Sequence, residues 1–378
     1  MSESLEAHKK WKGKIETKVR VPLENKEDLS LAYTPGVGEV CLAIKNDPNL
    51  SFELTRRWNT VAVITDGTAI LGLGDIGPEA GMPVMEGKCA LFKKYGGVDA
   101  FPIGLKAKDT EEIIRTIEII SSSFGGINLE DISAPRCFEI ERRVQEKLNL
   151  PVFHDDQHGT AIVVSAALLN ALELANKEID KVKIVVNGAG AAGHAIVLLL
   201  NDLGATNIIC LDSKGIINKK NAAIPSKKEL ADVTNSLGLE GDLKLALDKA
   251  DVFIGVSVAN CVSKDMVRSM NDKAIVFACA NPVPEISVED AKEAGAYIVG
   301  SGSSKYPNQI NNSLVFPGLF RGALDAKATR ITKAMMLAAV YALRKSIKFD
   351  RDHLLPYTYD EKVHQEVARA VKKAWEER

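Results

Sequence analysis

Two pairs of neighbouring acids mark the part of this sequence whose residue types could do chemistry. Glu130 and Asp131 follow one short apolar run, and Asp155 and Asp156 follow the next one. A single acid at a strand-to-helix junction is enough to cap the helix, and either pair taken alone fits that role. Together, the pairs supply several of the hard oxygen ligands that Mg²⁺ and Mn²⁺ prefer. We therefore predict a divalent-metal site.

A dinucleotide fingerprint lies one predicted helix downstream of the second pair. The segment Gly188-Ala189-Gly190-Ala191-Ala192-Gly193 follows an apolar strand pattern and opens an apolar helix pattern. Glycines at this spacing permit a tight turn and a close approach of the pyrophosphate to the helix N-terminus. A metal site beside a nicotinamide site predicts metal-assisted oxidation of a hydroxy acid.

The residues after the next strand bear on which dinucleotide binds. Asp212 stands where an acid is expected, about 20 residues beyond the fingerprint. It should accept hydrogen bonds from the adenosine ribose and repel a 2′-phosphate, which favours NAD. Ser213 and Lys214 could instead accommodate that phosphate, so NADP stays open. Thr160, which opens the helix between the two sites, completes the predicted cofactor-binding residues.

A second match to the glycine spacing, Gly72–Gly77, is predicted to be an ordinary turn. It is followed by Pro78, Gly81 and Pro83. We therefore expect no helix to begin at its last glycine, which a dinucleotide-binding turn would require.

Lys88 and several uncharged polar residues are further candidates for the site. Lys88 follows Met85-Glu86-Gly87 at a predicted helix start, and a divalent cation nearby would lower its pKa towards the range of a general base. Tyr33, in a Pro-Gly turn, serves either packing or chemistry. Asn281, Asn311 and Asn312 precede turns, where they serve the backbone or donate to a carboxylate or nicotinamide amide.

The order of strand and helix patterns predicts an α/β fold of two domains. A strand at 61–66, with a second short strand at 69–73, begins an N-terminal substrate- and metal-binding domain at residues 1–158. Strands and helices then alternate through 159–328, which predicts a Rossmann-type doubly wound sheet. The last helices, at 329–378, are expected to pack back on the first domain. Both acid pairs end consecutive strands, at the sheet edge where ligand sites form.

The composition excludes several classes of protein. The chain has 378 residues, of which 46% are hydrophobic and 26% charged, and a formal net charge of −2. These values are typical of a soluble globular protein and give no electrostatic footprint for nucleic acid. The six cysteines show no CxxC spacing, which favours a reduced cytoplasmic protein. We expect neither a signal peptide nor a membrane-spanning stretch.

Segments of this chain, in order from about residue 30 to residue 325, resemble the malic enzymes. The length is similar to that of the short bacterial-type form. The matching segments are Tyr33-Thr34-Pro35-Gly36-Val37, Thr65-Asp66-Gly67, Leu71-Gly72-Leu73-Gly74-Asp75, Glu130-Asp131, Phe153-His154-Asp155-Asp156-Gln157-His158-Gly159-Thr160, Ala280-Asn281-Pro282 and Asn311-Asn312.

The resemblance implies a role for each matching side chain. Lys88 would be the general base and Tyr33 the general acid, while Asp155, beside the metal ligands, would orient Lys88 or the substrate. Larger animal-type members carry an arginine that contacts a malate carboxylate, where this chain has Ala69. The implied metal ligands are Glu130, Asp131 and Asp156, and the implied malate-binding residues are Asn281 and Asn312, with Asn311 adjacent.

The resemblance also implies the reaction, which is oxidative decarboxylation of L-malate to pyruvate and CO₂ with reduction of NAD(P)⁺. It implies a homodimer that depends on Mg²⁺ or Mn²⁺. Two alternatives follow from the residues alone. One is an amino-acid dehydrogenase, which would not need the metal-binding acids. The other is a non-catalytic dinucleotide-binding regulator, which would not need Lys88 or Tyr33.

Overall fold

Two β-sheets, both flanked by helices, organise the computed structural model, which describes residues 2–378. The first sheet has four parallel strands in the order β2-β1-β3-β4. Every residue of β1 is buried, as expected for a strand covered on both faces of a parallel sheet. The strands are β1 (Thr60–Thr65), β2 (Asp99–Gly104), β3 (Gly126–Leu129) and β4 (Val152–His154).

The segment after β1 departs from two of the predictions. No strand forms at 69–73, because Ile70 and Gly74 share one isolated bridge across a tight turn. Leu71 and Gly72 within that turn have φ values of 45° and 79°, in the left-handed region that a strand cannot use. A helix does begin after Gly77, since Pro78 occupies its first turn, where a missing N–H costs nothing. The helices around this sheet are α5 (Pro78–Gly96), α6 (Thr110–Ile120) and α7 (Arg136–Lys147).

The second sheet confirms the doubly wound prediction. Its six strands lie in the order β10-β9-β8-β5-β6-β7, so the direction of winding reverses beside β5. All neighbours are parallel except the short edge strand β7. The strands are β5 (Lys183–Asn187), β6 (Asn207–Asp212), β7 (Gly215–Ile216), β8 (Val252–Gly255), β9 (Ile275–Ala278) and β10 (Ile298–Ser301). The helices are α9 (Ala191–Asp202), α10 (Pro225–Val233), α11 (Leu243–Leu247), α12 (Lys264–Arg268) and α13 (Val288–Glu293).

One turn of π-helix, Asp155–Gly159, leads from the first sheet into α8 (Thr160–Ala175). Together they form a helix of 21 residues that is long and apolar enough to cross a membrane, but 72% of its apolar window is buried inside the protein. Such burial is what the core helix of a globular protein shows. α8 therefore connects the two sheets through the hydrophobic core.

The C-terminal helices pack on both halves of the chain. The rings of Tyr95 in α5 and His364 stack with centroids 4.6 Å apart. Nε of Arg344 donates to Oδ1 of Asn170 in α8 at 3.2 Å. The domain boundaries at 158 and 328 stay a prediction. The helices concerned are α14 (Phe316–Asp325), α15 (Lys333–Lys345) and α16 (Glu361–Glu376).

The N-terminal helices leave apolar side chains exposed. None of the four buries a residue in this single chain. The helices are α1 (Glu3–Trp11), α2 (Lys26–Ala32), α3 (Val37–Asn46) and α4 (Ser51–Leu54). The exposed apolar residues of this segment include Trp11, Val19, Val21, Leu23, Leu29, Leu31 and Leu42.

Candidate active site

The carboxyl ends of the strands in both sheets face one cavity of about 860 Å³. It contains residues that follow β3 and β4 of the first sheet and β5, β8 and β9 of the second. This is the edge at which open α/β sheets bind ligands. Of the residues predicted from sequence, the cavity is lined by Lys88, Glu130, Asp131, Asp156, Thr160, Gly190, Ala191, Ala192, Asn281, Asn311 and Asn312.

Glu130, Asp131 and Asp156 form a compact group of carboxylates. One oxygen from each lies within 4.8 Å of the other two. The backbone N–H of Asp131 donates to Oδ2 of Asp156 at 2.8 Å, which ties the end of β3 to the turn after β4. Asp131 has a φ of 52°, a left-handed conformation that aspartate tolerates better than most residues. Its Oδ2 is buried and has no hydrogen-bond partner among residues 2–378.

Burial and mutual repulsion disfavour the charged forms of these acids. Burial, with the charge of Asp156 adding to it, raises the pKa of Asp131 to about 9. Burial also raises the pKa of Glu130 to about 7, although Lys88 opposes the shift. A divalent cation would offset the repulsion and give the unpaired oxygen of Asp131 a partner. The three acids therefore fit such an ion in number, chemistry and spacing.

Lys88 projects from α5 into the carboxylate group. Its side chain is 9% exposed, with Nζ 2.8 Å from Oε1 of Glu130 and in an ion pair with Asp155. The lowered pKa predicted for Lys88 presupposes a bound divalent cation and stays a prediction. Burial alone would lower the pKa, but the charges of Asp155, Glu130 and Asp156 outweigh it and raise the pKa. The prediction assumed a neighbouring cation, whereas the neighbouring charges here are carboxylates.

The π-helical turn sends the two adjacent aspartates to different places. Asp155 is fully buried beneath the cavity, where it accepts from Nζ of Lys88. Asp156 instead faces the cavity beside Glu130 and Asp131. Burial raises the pKa of Asp155 to about 7, with the ammonium of Lys88 acting in the opposite direction. The pair therefore divides into a neighbour of Lys88 and a member of the carboxylate group.

Glu141, which sequence reasoning missed, supports that turn from behind. Its carboxylate is buried and accepts from the backbone N–H of His154 at 3.0 Å, from Nε2 of Gln157 at 3.1 Å and from Nε2 of His158 at 2.9 Å. Burial alone would raise the pKa of Glu141, but the charge and hydrogen bond of His158 and the contacts with His154 together outweigh burial, and the pKa is lowered. The sequence signal that could have found Glu141 is its position as a charged residue on the apolar face of α7, beside Ile140.

The fingerprint loop has the shape that a pyrophosphate requires. Gly188 has a φ of 116°, and a Cβ on Gly193 would lie 1.7 Å from the carbonyl oxygen of Gly188. A Cβ on Gly190 would meet no atom within 4 Å, because this residue borders the cavity. The N-terminus of α9 follows directly, so its free N–H groups face the same space. The loop therefore fits a dinucleotide.

Other predicted cofactor residues lie beyond the cavity wall. Asp212 ends β6, where its carboxylate accepts from the backbone N–H of Lys214 at 2.7 Å. It also accepts from Nζ of Lys227, a partner that no sequence pattern indicated. Ser213 and Lys214 are exposed beside it. The structure thus places these four residues together at the end of β6.

The remaining cavity residues include Gly72 and Ala69, which the sequence singled out, and Lys14, which it did not. Gly72, from the other glycine match, lies against Asn281, since a Cβ on Gly72 would be 2.1 Å from the Asn281 carbonyl oxygen. Ala69 lines the cavity without adding a charge. Lys14 also lines it, with Nζ donating to the carbonyl oxygen of Pro83 at 2.6 Å.

Tyr33 is not brought to this cavity. It lies just after α2, is 67% exposed, and is absent from the cavity lining. Within one copy of the chain, the structure therefore separates Tyr33 from Lys88.

Comparison with known proteins identifies the family to which the chain belongs. Residues 12–145 match the family description "Malic enzyme, N-terminal domain", and residues 157–375 match "Malic enzyme, NAD binding domain". The chain is 52% identical to the bifunctional malic/malolactic enzyme of Bacillus subtilis, over 98% of this chain and 92% of that one. It is 44% identical to an NADP-dependent malic enzyme of Haemophilus influenzae, over 96% of this chain but 50% of that protein.

A solved structure agrees with the sequence comparisons. The crystal structure of an NAD-dependent malic enzyme from Thermotoga maritima superposes with a TM-score of 0.96 at 50% identity, covering 98% of this chain and 99% of that one. The class is therefore that of NAD(P)-dependent oxidoreductases. The chain belongs to the malic enzyme family. These comparisons give no support to the two alternatives, an amino-acid dehydrogenase and a non-catalytic dinucleotide-binding regulator.

Proposed function

We propose that this chain catalyses oxidative decarboxylation of L-malate to pyruvate and CO₂, with reduction of NAD⁺ or NADP⁺. The observation that carries the proposal is the shared cavity. Lys88 and the three clustered carboxylates line one side, and the fingerprint residues Gly190, Ala191 and Ala192 line the other. A small hydroxy acid between them would be within reach of both the base and the dinucleotide.

The chemistry assigned to the side chains follows from malate itself. Lys88 takes the proton of the C2 hydroxyl while the hydride on C2 passes to the nicotinamide. The resulting β-keto acid loses CO₂ far more easily than a β-hydroxy acid would, so oxidation comes first. Tyr33 donates a proton to C3 of the enolate, which gives pyruvate.

Glu130, Asp131 and Asp156 would hold Mg²⁺ or Mn²⁺ in this scheme. When bound, the ion supplies a Lewis acid that polarises the C2 oxygen and stabilises the enolate charge. What supports the assignment is the spacing of the three carboxylates and the unpartnered oxygen of Asp131.

Asp155 and the asparagines complete the scheme. Asp155 orients Lys88, because its buried carboxylate is in contact with Nζ. Asn281 and Asn312, with Asn311 beside them, line the cavity and would donate to the carboxylates of malate. Because Ala69 stands where larger members have an arginine, the neutral asparagine amides would make more of the contacts to the malate carboxylates in this chain.

We also propose that the chain acts as a homodimer in the cytoplasm. The exposed apolar side chains of the N-terminal segment support an association, because extensive exposed apolar surface often marks a protein interface. An acid role for Tyr33 requires that its hydroxyl reach a cavity of the second copy, or that α2 and α3 move. A second copy of the chain would both cover the exposed apolar side chains and offer its cavity to Tyr33.

One assay tests the proposal. Reduction of NAD⁺ and of NADP⁺ is followed with L-malate, with and without Mn²⁺, and pyruvate and lactate are quantified. We expect one pyruvate per nicotinamide reduced and loss of activity with EDTA. Turnover that is insensitive to EDTA, or lactate as the sole product, would reject the scheme.

A further inference from the structure

Lys14 lines the cavity but has no part in the scheme above. Its Nζ donates to the carbonyl oxygen of Pro83 at 2.6 Å, and it forms no ion pair with any of residues 2–378. Lys88, the other lysine of the lining, is in contact with the carboxylates of Glu130 and Asp155. Lys14 is therefore the lysine of this cavity whose charge no neighbouring carboxylate compensates.

The turn that carries Lys14 packs on α5. The backbone N–H of Lys14 donates to Oε2 of Glu86 at 3.2 Å. Gly13 has a φ of 119°, and a Cβ on it would lie 3.6 Å from Oε1 of the same glutamate. Nζ of Lys14 lies against the helix as well, because a Cβ on Gly87 would be 3.7 Å from it. Since Gly87 directly precedes Lys88, the fold holds the ammonium of Lys14 on the part of α5 that leads to Lys88.

The charges of the site oppose the entry of malate, which is a dianion. The clustered carboxylates of Glu130, Asp131 and Asp156, with the buried Asp155, outnumber the positive charges of Lys88 and a bound divalent ion. The asparagine amides can donate to a carboxylate but carry no charge. A hydrogen bond between an ammonium and a carboxylate is roughly twice as strong as one between neutral groups. A second ammonium in the cavity would therefore favour the substrate more than the amides alone.

The two carboxylates of malate differ in what a cation beside them would do. The C4 carboxylate leaves as neutral CO₂, so a cation bound to it would oppose its departure. The C1 carboxylate keeps its charge from malate to pyruvate. It is also attached to C2, whose hydroxyl proton passes to Lys88 in the proposed scheme. A cation on the α5 surface next to Lys88 therefore suits the C1 carboxylate.

We propose that Lys14 binds the C1 carboxylate of malate and supplies the positive charge that admits this dianion to the cavity. The proposal rests on the proposed function, since it takes malate as the substrate. An ammonium has three N–H donors, so Nζ can bind the substrate while it still donates to Pro83. Because the C1 carboxylate is unchanged by the reaction, Lys14 should act on the binding of malate and leave the chemistry at Lys88 unaltered.

Steady-state kinetics of the intact protein, with Mn²⁺ and saturating dinucleotide, test this role. For Lys14→Gln we expect KM for L-malate to rise about 10- to 100-fold, the loss expected for a hydrogen bond between charged groups, and kcat to change less than about 3-fold. The inhibition constant of pyruvate, which keeps the C1 carboxylate and lacks the C4 carboxylate, should rise with it. Lys14→Arg keeps the charge and should restore most of the affinity. Lys10→Gln, at an exposed lysine of α1, is the matched control and should change neither constant.

An unchanged KM in Lys14→Gln, or a rise in KM without any effect on pyruvate inhibition, would overturn the proposal. If that variant does not fold, Lys14→Met keeps the apolar stem of the side chain and tests the same charge. Calorimetric titration with L-malate and Mn²⁺, without dinucleotide, is run in parallel. Malate binding that Lys14→Gln weakens, in a wild-type protein that does not oxidise malate, would reject the proposed function and leave the role of Lys14 intact.

Discussion

The backbone N–H of Asp131 donates a 2.8 Å hydrogen bond to Oδ2 of Asp156. These residues are 25 positions apart, and the bond fixes the ends of neighbouring strands relative to each other. It occupies one oxygen of Asp156, and one carboxylate oxygen of this residue lies within 4.8 Å of an oxygen of Glu130 and of Asp131. The spacing of the three acids is therefore set by the backbone, before any ion binds.

Removing one of these carboxylates should abolish metal binding without unfolding the protein. Asp156→Asn keeps the size and one acceptor oxygen but loses the charge. We expect Mn²⁺ affinity to fall by at least about 100-fold, the upper end of what altered metal-site partners cost. Electron paramagnetic resonance of free Mn²⁺ measures it. Asp265→Asn, at an exposed aspartate, should bind as the wild type does, and equal affinities in the two variants would contradict the assignment.

Replacing Lys88 should stop malate oxidation. Lys88→Ala removes the proposed base, and we expect kcat to fall by about 100- to 10,000-fold, the usual contribution of general acid-base catalysis. Nicotinamide absorbance at saturating malate reports it. Lys94→Ala changes a lysine on the same helix that pairs with Glu361 at the surface, and it should retain full activity. A Lys88→Ala variant with wild-type kcat would end the assignment of the base.

Two glycine substitutions in the fingerprint should have different effects. Gly193→Ala would place a methyl group 1.7 Å from the Gly188 carbonyl oxygen, so the loop must distort and both stability and cofactor binding should fall. Gly190→Ala meets open space and should change the free energy of unfolding by less than about 0.5 kcal/mol, like a surface substitution. Its methyl group enters the cavity and should still weaken NAD⁺ binding. Denaturant unfolding and calorimetry separate the two effects.

The Glu141 network should appear in the pH dependence of stability. Glu141→Gln removes the buried charge that His158 and the His154 N–H contact, and should cost about 1–3 kcal/mol at neutral pH. Because its folded-state pKa lies below the ordinary value of 4.5, the charge stabilises the protein above that value and ceases to do so as pH falls through the lowered pKa. The difference between wild type and variant should therefore shrink below pH of about 5, and shrink again as pH rises through the raised pKa of His158, where the imidazole loses its charge.

Urea unfolding at several pH values measures this difference. Glu139→Gln, an exposed position on the same helix, should cost less than about 0.5 kcal/mol at each pH. A Glu141→Gln difference that persists unchanged at the lowest pH would mean that the charge is not responsible.

Tyr33→Phe should lower pyruvate formation by about 100-fold if the hydroxyl is the proton donor. Because Tyr33 lies outside the cavity of its own copy, we expect co-expression of Tyr33→Phe with Lys88→Ala to restore part of the activity. In such a hybrid dimer, one site combines an intact Lys88 with an intact Tyr33 from the other copy. Activity no higher than that of either variant alone would show that Tyr33 does not act across a dimer.

The fold class was readable from the sequence because the signals are local. The run Val61–Ile64 predicts a buried strand by its composition, and the fingerprint predicts its turn from glycine spacing. The strand predicted after β1 is wrong because that prediction, too, used local signals alone. Leu71 and Gly72 have left-handed φ values, and the carbonyl of Asn281 packs against Gly72, a contact that no local pattern contains.

The sequence by itself determined which side chains follow the ends of the strands, because the periodicity of strands and helices shows where each strand stops. The three carboxylates and the dinucleotide-binding turn were predicted in this way. Only the tertiary structure decided which side chains from distant parts of the chain come into contact. Lys88 pairs with Asp155 across 67 positions, Glu141 accepts a hydrogen bond from Gln157 of the π-helical turn, and Lys227 donates to Asp212. These contacts arise from helix packing against the sheets, and they set the charges around Lys88 and Asp212, which no local sequence pattern indicates.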